Sequence, residues 1–114
     1  MKTTGYAAHA AGAPLSRYDF ERRELRPNDV ALEILYCGVC HSDLHQVRND
    51  WGFASYPLVP GHEIIGRVIA TGRDVRRFRA GDAAAVGCMV DACLECDACR
   101  RGEEQYCRKG MTQT

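Results

Sequence analysis

Two groups of side chains in this sequence could hold a metal ion. The first is split between two stretches. Cys40-His41-Ser42-Asp43-Leu44-His45 offers a thiolate, two imidazoles, a hydroxyl and a carboxylate. Gly61-His62-Glu63 sets an imidazole beside a carboxylate where a loop meets the apolar run Ile64-Ile65. Polar heads at the mouth of a buried strand are costly unless they have a partner, and a metal ion is a good one. Cys40 and His62 are the candidate ligands. Glu63 can reach the same ion or stand just outside it. Asp43 is placed to accept a hydrogen bond from the far nitrogen of His62, the contact that fixes the tautomer of a ligating imidazole. Each residue also has a plainer reading: Cys40 as a small hydrophobe, His62 as a half-buried side chain, Ser42 as a helix cap, His45 as a solvated helix residue.

The second group is Cys93-x-x-Cys96-x-x-Cys99 followed by Cys107. Two-residue spacers let successive sulfurs converge on one ion. Four thiolates suit a closed, tetrahedral zinc site with no open position, so the site is structural. The neighbours Asp91, Glu95, Asp97, Arg100, Arg101, Glu103 and Glu104 cannot build a core, so metal binding would supply local folding energy. Surface thiols or disulfides are the alternative. Cys37-Gly38-Val39-Cys40 imitates a redox pair, but an odd step along a strand points the two sulfurs to opposite faces. Cys37 and Cys88 read as packing residues.

Short strands must position these groups. Gly5 to Ala10 reads as the first. Tyr18, Phe20 and Arg22 alternate with Asp19 and Glu21, the period of a half-exposed strand. Arg26-Pro27-Asn28-Asp29 is a turn. In the strand Val30 to Tyr36, residues Val30, Leu32, Ile34 and Tyr36 share one face. Ser42 then caps a short helix from Asp43 to about Arg48, closed by Asn49-Asp50-Trp51-Gly52. Glu63 to Ala70 and Ala83 to Cys88 are further strands, and everything after Met89 lacks periodicity. His9 reads as a strand residue, and Arg73, Arg76, Arg77 and Arg79 as one solvated face of a turn. Short strands with turn signals predict a mainly β fold, a small barrel or sandwich.

Composition sets the class. A chain of 114 residues is one domain with a modest core. Fifteen basic and 15 acidic residues leave no net field for nucleic acid or an anionic membrane. No run approaches transmembrane length and no apolar leader is present. Seven cysteines, an odd number without a secretion signal, favour metal ligands in a reducing compartment, so a cytoplasmic protein is expected.

The motifs together resemble the zinc-dependent medium-chain alcohol dehydrogenases. Gly61-His62-Glu63-x-x-Gly66, then Gly72 and Val75, is similar to their zinc signature. Cys37-Gly38-Val39-Cys40-His41-Ser42-Asp43-Leu44-His45 resembles their first ligand segment, and the four-cysteine loop their structural zinc lobe. His45 to Trp51, Tyr56-Pro57 with Pro60 to Glu63, and Glu104-Gln105-Tyr106-Cys107 look like the cinnamyl-alcohol-dehydrogenase branch. The resemblance covers nearly the whole chain.

It implies a GroES-like, mainly β catalytic domain, a small β-barrel with short helices and a four-cysteine zinc lobe. Cys40 and His62 would hold a catalytic Zn²⁺, with Glu63 an alternate or near ligand. Cys93, Cys96, Cys99 and Cys107 would hold a structural Zn²⁺. Ser42 and His45 would relay a proton with a cofactor ribose hydroxyl between them, His41 would lie near the cofactor phosphates, and Trp51 would help line the substrate pocket. The reaction would be hydride transfer between a primary alcohol or aldehyde and NADP, which this branch favours over NAD, in a homodimer of the full-length enzyme.

The pattern is incomplete here. The family's third catalytic ligand is a cysteine well beyond the lobe, and no Gly-x-Gly-x-x-Gly marks a Rossmann cofactor-binding domain. The expectation is an N-terminal piece, residues 1 to 114, inactive alone and short of the barrel strands that return from the family's C-terminal end. A non-catalytic zinc module of GroES-like fold, acting in protein interaction, is the alternative.

Overall fold

The computed structural model describes residues 1 to 114. Strand β1 (Lys2–Ala7) pairs antiparallel with β2 (Ser16–Glu21), Lys2 opposite Glu21 and Ala7 opposite Ser16. β1 therefore lies three residues earlier than the Gly5 to Ala10 expectation. Ala8 is taken by another partner: it exchanges backbone hydrogen bonds with Leu58, at 2.8 and 2.9 Å. That bridge ties the hairpin to the loop leading toward His62. His9 falls outside any strand, contrary to expectation, and packs edge-on against Tyr18 at 5.5 Å between ring centres.

The central sheet is β3 (Val30–Gly38), β4 (Glu63–Thr71) and β5 (Ala83–Val86), antiparallel in the order β3-β4-β5. Ile34 pairs with Gly66 and Tyr36 with Ile65, so Leu35 is left as an unpaired bulge. A bulge adds one residue and breaks the two-residue period. The single face expected for Val30, Leu32, Ile34 and Tyr36 therefore ends at Ile34. Gly66 is buried where β3 presses on β4. A methyl group there would meet the Glu33 carbonyl oxygen at 2.6 Å, so only glycine fits without a shift.

The molecule is mostly strand with a few short helices, as the sequence predicts. The sheet does not close into a barrel: β3 and β5 each keep a free edge. Closure requires every edge to find a partner, and the remaining strands are spent in two separate hairpins. The core is smaller than expected. Only 7 of 114 residues are buried, among them Ala7, Ala8, Ala31, Val68, Ala98 and Cys99. One layer of sheet covers one face, leaving Ile34 at 52%, Tyr36 at 71% and Ile65 at 49% exposure. The radius of gyration is 15.5 Å, against about 13 Å for a compact domain of this length. No helix is long and apolar enough to cross a membrane.

Helix α1 (His41–Arg48) follows β3 directly. Its N-cap is Cys40, in extended backbone, not Ser42. The Cys40 sulfur accepts the Ser42 N–H, and the Asp43 carboxylate accepts the Cys40 N–H at 2.8 Å, so the two ends of a capping box are Cys40 and Asp43. Asn49 ends the helix in the left-handed conformation that asparagine tolerates.

The segment after Met89, expected to be aperiodic, carries short elements. β6 (Met89–Asp91) and β7 (Thr112–Gln113) pair at its base, around α2 (Asp97–Arg100) and a 3-10 turn at Glu104–Tyr106. Pieces of two to four residues are too short to print a period in the sequence. Cys37 and Cys88, expected to pack, are exposed. The four loop arginines are exposed, as expected.

Candidate metal centres

Asp43 organises the first centre. It projects from the first turn of α1, with only 12% of its side chain exposed. Its Oδ2 accepts from the Cys40 N–H and lies 3.1 Å from Nδ1 of His62. Its Oδ1 accepts from the Gly61 N–H at 2.6 Å. One carboxylate thus joins the helix start to the loop entering β4. A carboxylate only accepts, so Nδ1 of His62 carries the hydrogen, and in the neutral ring Nε2 keeps a lone pair. That lone pair faces Cys40, with Nε2 3.6 Å from Sγ.

The spacing fits an ion. Zinc at about 2.3 Å from sulfur and about 2.05 Å from nitrogen, at a tetrahedral angle, separates the two donors by about 3.5 Å. Ligand atoms of Cys40, His62 and Glu63 all lie within 4.8 Å of one another. Two glycines make room. A methyl group at Gly38 would meet the Glu63 carboxylate at 2.5 Å, and one at Gly61, where φ is +109°, would meet the Cys37 sulfur at 2.6 Å. The sequence reading missed both roles. Only the glycines themselves, next to candidate ligands, could have hinted at them.

The electrostatics favour the ligand form of Cys40 and oppose that of His62. The Ser42 hydroxyl, 2.9 Å from Cys40 Sγ, and then the Ser42 N–H hold the Cys40 thiol below its ordinary pKa. The hydrogen bond that His62 Nδ1 donates to Asp43 raises the pKa of His62, so an arriving metal displaces a more tightly held proton from Nε2. Burial alone would push the Asp43 carboxyl up, but the N–H groups of Cys40 and Gly61 and the His62 ring outweigh it and hold it low.

The remaining candidates line one side of α1. The Ser42 hydroxyl rests on the Cys40 sulfur, and no hydrogen bond joins it to His45. His45 Nδ1 instead meets Asp50 Oδ2 at 2.7 Å. Asp50 was not singled out from the sequence. The left-handed Asn49 folds Asp50 back, the Asp50 N–H reaching the His45 carbonyl at 3.0 Å, and no periodicity announces such a turn. His41 lies edge-on to His45 at 4.9 Å, His45 lies against Trp51 at 5.2 Å, and Trp51 stacks on Phe53 at 5.8 Å. Trp51 and Phe53 are 48% and 67% exposed.

The second centre is the four-cysteine lobe. All four sulfurs lie within 4.8 Å of one another, and the Cys93 and Cys99 sulfurs are 3.9 Å apart. The edge of a zinc tetrathiolate tetrahedron is about 3.8 Å. Backbone N–H groups point at the sulfurs: Cys96 N at Cys93, Cys99 N and Arg108 N at Cys96, and Cys93 N at Cys107, all 3.4 to 3.5 Å. The Arg108 and Cys99 N–H groups lower the Cys96 thiol to about 6. Burial pushes Cys99 up to about 12. None of the seven cysteines is in a disulfide.

Comparison with known proteins follows the same lines. The alcohol dehydrogenase GroES-like domain model matches residues 26–114. Aldehyde reductase YahK of Escherichia coli is 54% identical over 107 residues, 94% of this chain and 31% of that protein. NADP-dependent alcohol dehydrogenase C of Mycobacterium bovis is 50% identical over 109 residues, 96% of this chain and 32% of that protein. A solved cinnamyl alcohol dehydrogenase of Sorghum bicolor superposes with a TM-score of 0.94 at 44% identity, over 100% of this chain and 32% of its own. One from Helicobacter pylori, complexed with NADP(H), gives 0.95 at 38% identity, over 100% of this chain and 33% of its own. The chain thus spans about a third of the length of these relatives. With a family model covering most of its residues and the same fold throughout, this chain belongs to the alcohol dehydrogenase GroES-like domain family.

Proposed function

We propose that this chain is the zinc-holding part of an NADP-dependent alcohol dehydrogenase or aldehyde reductase, and that it does not turn substrate over by itself. The observation that carries the reading is the Cys40–His62 pair at ligand spacing, with Asp43 on the far side of the imidazole. The relatives' names, aldehyde reductase and NADP-dependent alcohol dehydrogenase among them, support the reaction class and the cofactor.

Zinc held there supplies a Lewis acid that draws charge from an alcohol or aldehyde oxygen during hydride exchange with nicotinamide. Cys40 and His62 provide two of its ligand atoms, with Glu63 as an alternate or near ligand. A cysteine beyond this chain is the third in this reading. Asp43 keeps Nε2 of His62 aimed at the ion. Ser42 has a hydroxyl that both accepts and donates, which suits it to take a proton from the reacting alcohol. His45 receives that proton by way of a cofactor ribose hydroxyl between the two. Asp50 accepts from Nδ1–H of His45 and leaves Nε2 free for it. Trp51 lines the substrate side, and His41 faces the cofactor phosphates. Cys93, Cys96, Cys99 and Cys107 hold a second, structural zinc. A cytoplasmic setting fits the free thiols, and a homodimer of the full-length protein belongs to the same reading.

The test is reduction of an aromatic aldehyde with NADPH by the protein its full reading frame encodes. His62→Ala is expected to lose one zinc and the activity together, and full activity in that variant sinks the reading. Ser42→Ala is expected to lower kcat by about 100-fold with unchanged zinc. An unchanged kcat removes Ser42 from the relay.

A further inference from the structure

The lobe brings its fourth sulfur from a different place than the other three. Cys93, Cys96 and Cys99 lie on one run that ends in α2, whereas Cys107 follows the 3-10 turn. Something must hold that returning segment against α2, because the lobe has almost no core: only Ala98 and Cys99 are buried in it.

Ion pairs bracket the junction. Arg108, next to Cys107, meets Asp97, next to Cys96, through two parallel hydrogen bonds: Nε to Oδ1 and NH2 to Oδ2, both 2.8 Å. Lys109 meets Glu95, on the other side of Cys96. Arg101 also approaches Asp97, at 3.5 Å, but spends its own two-point contact on Glu103. The Arg108 N–H meanwhile points at the Cys96 sulfur at 3.5 Å. The Asp97–Arg108 bond spans 11 residues of sequence. It closes the same loop that ligation by Cys107 must close, so part of the entropy of closure is met before any metal arrives.

We propose that the Asp97–Arg108 pair, backed by Glu95–Lys109, is a clasp that positions Cys107 as fourth ligand and sets how fast the lobe releases its metal. This rests on the reading of the four thiols as a zinc site. Metal leaves when one sulfur lets go, and Cys107 is the sulfur tethered least by α2. Opening the clasp frees that arm, and closing it returns the sulfur to the ion. The two-point fork belongs to arginine. Lysine keeps the charge but holds the carboxylate at one point.

The test loads the 114-residue chain with cobalt(II), whose thiolate charge-transfer absorption marks the four-sulfur site, and follows loss of that band in excess EDTA. Arg108→Met and Asp97→Asn are expected to release metal about 3- to 10-fold faster than the native chain, a range suited to an exposed but two-point pair. Arg108→Lys is expected to fall between them and the native chain. Added salt screens the clasp, so it speeds release from the native chain more than release from Arg108→Met, which keeps only the Glu95–Lys109 pair. A merely structural role would not move that salt dependence. If Arg108→Met does not load, Arg108→Lys and Lys109→Met carry the comparison. Release within twofold of the native rate, with the same salt response, overturns the clasp. A native chain with no tetrathiolate band overturns the zinc reading beneath it.

Discussion

The two candidate metal centres are built in opposite ways. The lobe draws all its sulfurs from one segment, Cys93 to Cys107, and its own backbone N–H groups point at them. The Cys40–His62 centre draws its donors from residues 22 apart, on a helix cap and a strand entry. Three things align it: β3–β4 pairing up to Gly38 and Glu63, the capping box of α1, and the Asp43 bridge to Gly61 and His62. The lobe has its ligands and little scaffold. The Cys40–His62 centre has its scaffold and two or three candidate ligands. A closed site with a full ligand set can be folded by its metal. An open site must be held in shape by the protein around it, because its free position belongs to substrate.

Breaking one ligand in each tests that contrast most severely. Cys107→Ser is expected to weaken metal binding by the lobe more than about 100-fold, beyond the usual effect of a supporting residue. Amide hydrogen exchange should rise across residues 93 to 109 and stay unchanged in β3 and β4. Spread of the effect into the sheet would mean that the lobe is not a separate unit.

Asp43→Asn is the matching change in the Cys40–His62 centre. It keeps the shape but weakens the acceptor that orients His62. Metal affinity there is expected to fall about 10- to 100-fold, with about 1–3 kcal/mol lost from folding because the Cys40 and Gly61 N–H groups lose a charged partner. Isothermal titration and urea unfolding measure the two parts. A loss of stability without a loss of affinity would make Asp43 a cap and nothing more.

The gentlest comparison lies within the lobe of the metal-free chain. The Cys96 pKa, lowered to about 6, sits below neutrality, so Cys96 is mostly thiolate at pH 7. Cys99, pushed up to about 12, stays protonated. Thiolate is the reactive form, so mass spectrometry should find iodoacetamide on Cys96 well before Cys99. The sign follows for stability too. A depressed folded pKa adds stability above the unfolded value near 9.0, and that contribution is lost as pH falls through about 6. Cys96 labelling should fall over the same window. Equal labelling at pH 7 would show that the N–H groups do not act on Cys96.

Much of this was legible in one dimension. The cysteine spacing marks the lobe because its ligands are neighbours in sequence. The Cys40 and His62 segments stand out because polar donors sit at the ends of apolar runs. Strand β1 lies three residues earlier than its pattern suggests because a backbone bridge from Ala8 to Leu58, invisible to periodicity, claims the end of the strand. The α1 cap was misassigned because serine is the commoner cap, while here the thiol of Cys40 accepts the N–H and Asp43 completes the box.

The sequence by itself determined the identities and order of the donors, the turn residues that separate the strands, and the balance of charge. These follow from local chemistry, which spacing preserves. Tertiary structure decided the rest. The Leu35 bulge changes which side chains share a face. The sheet stays open because no strand of this chain pairs with β3's outer edge. Asp43 reaches Gly61 and His62, 18 and 19 positions away, only because sheet pairing brings the start of β4 beside the start of α1. Asp50 meets His45 only because Asn49 takes a left-handed turn. Such contacts depend on where the backbone goes after it leaves the window that a sequence pattern can see.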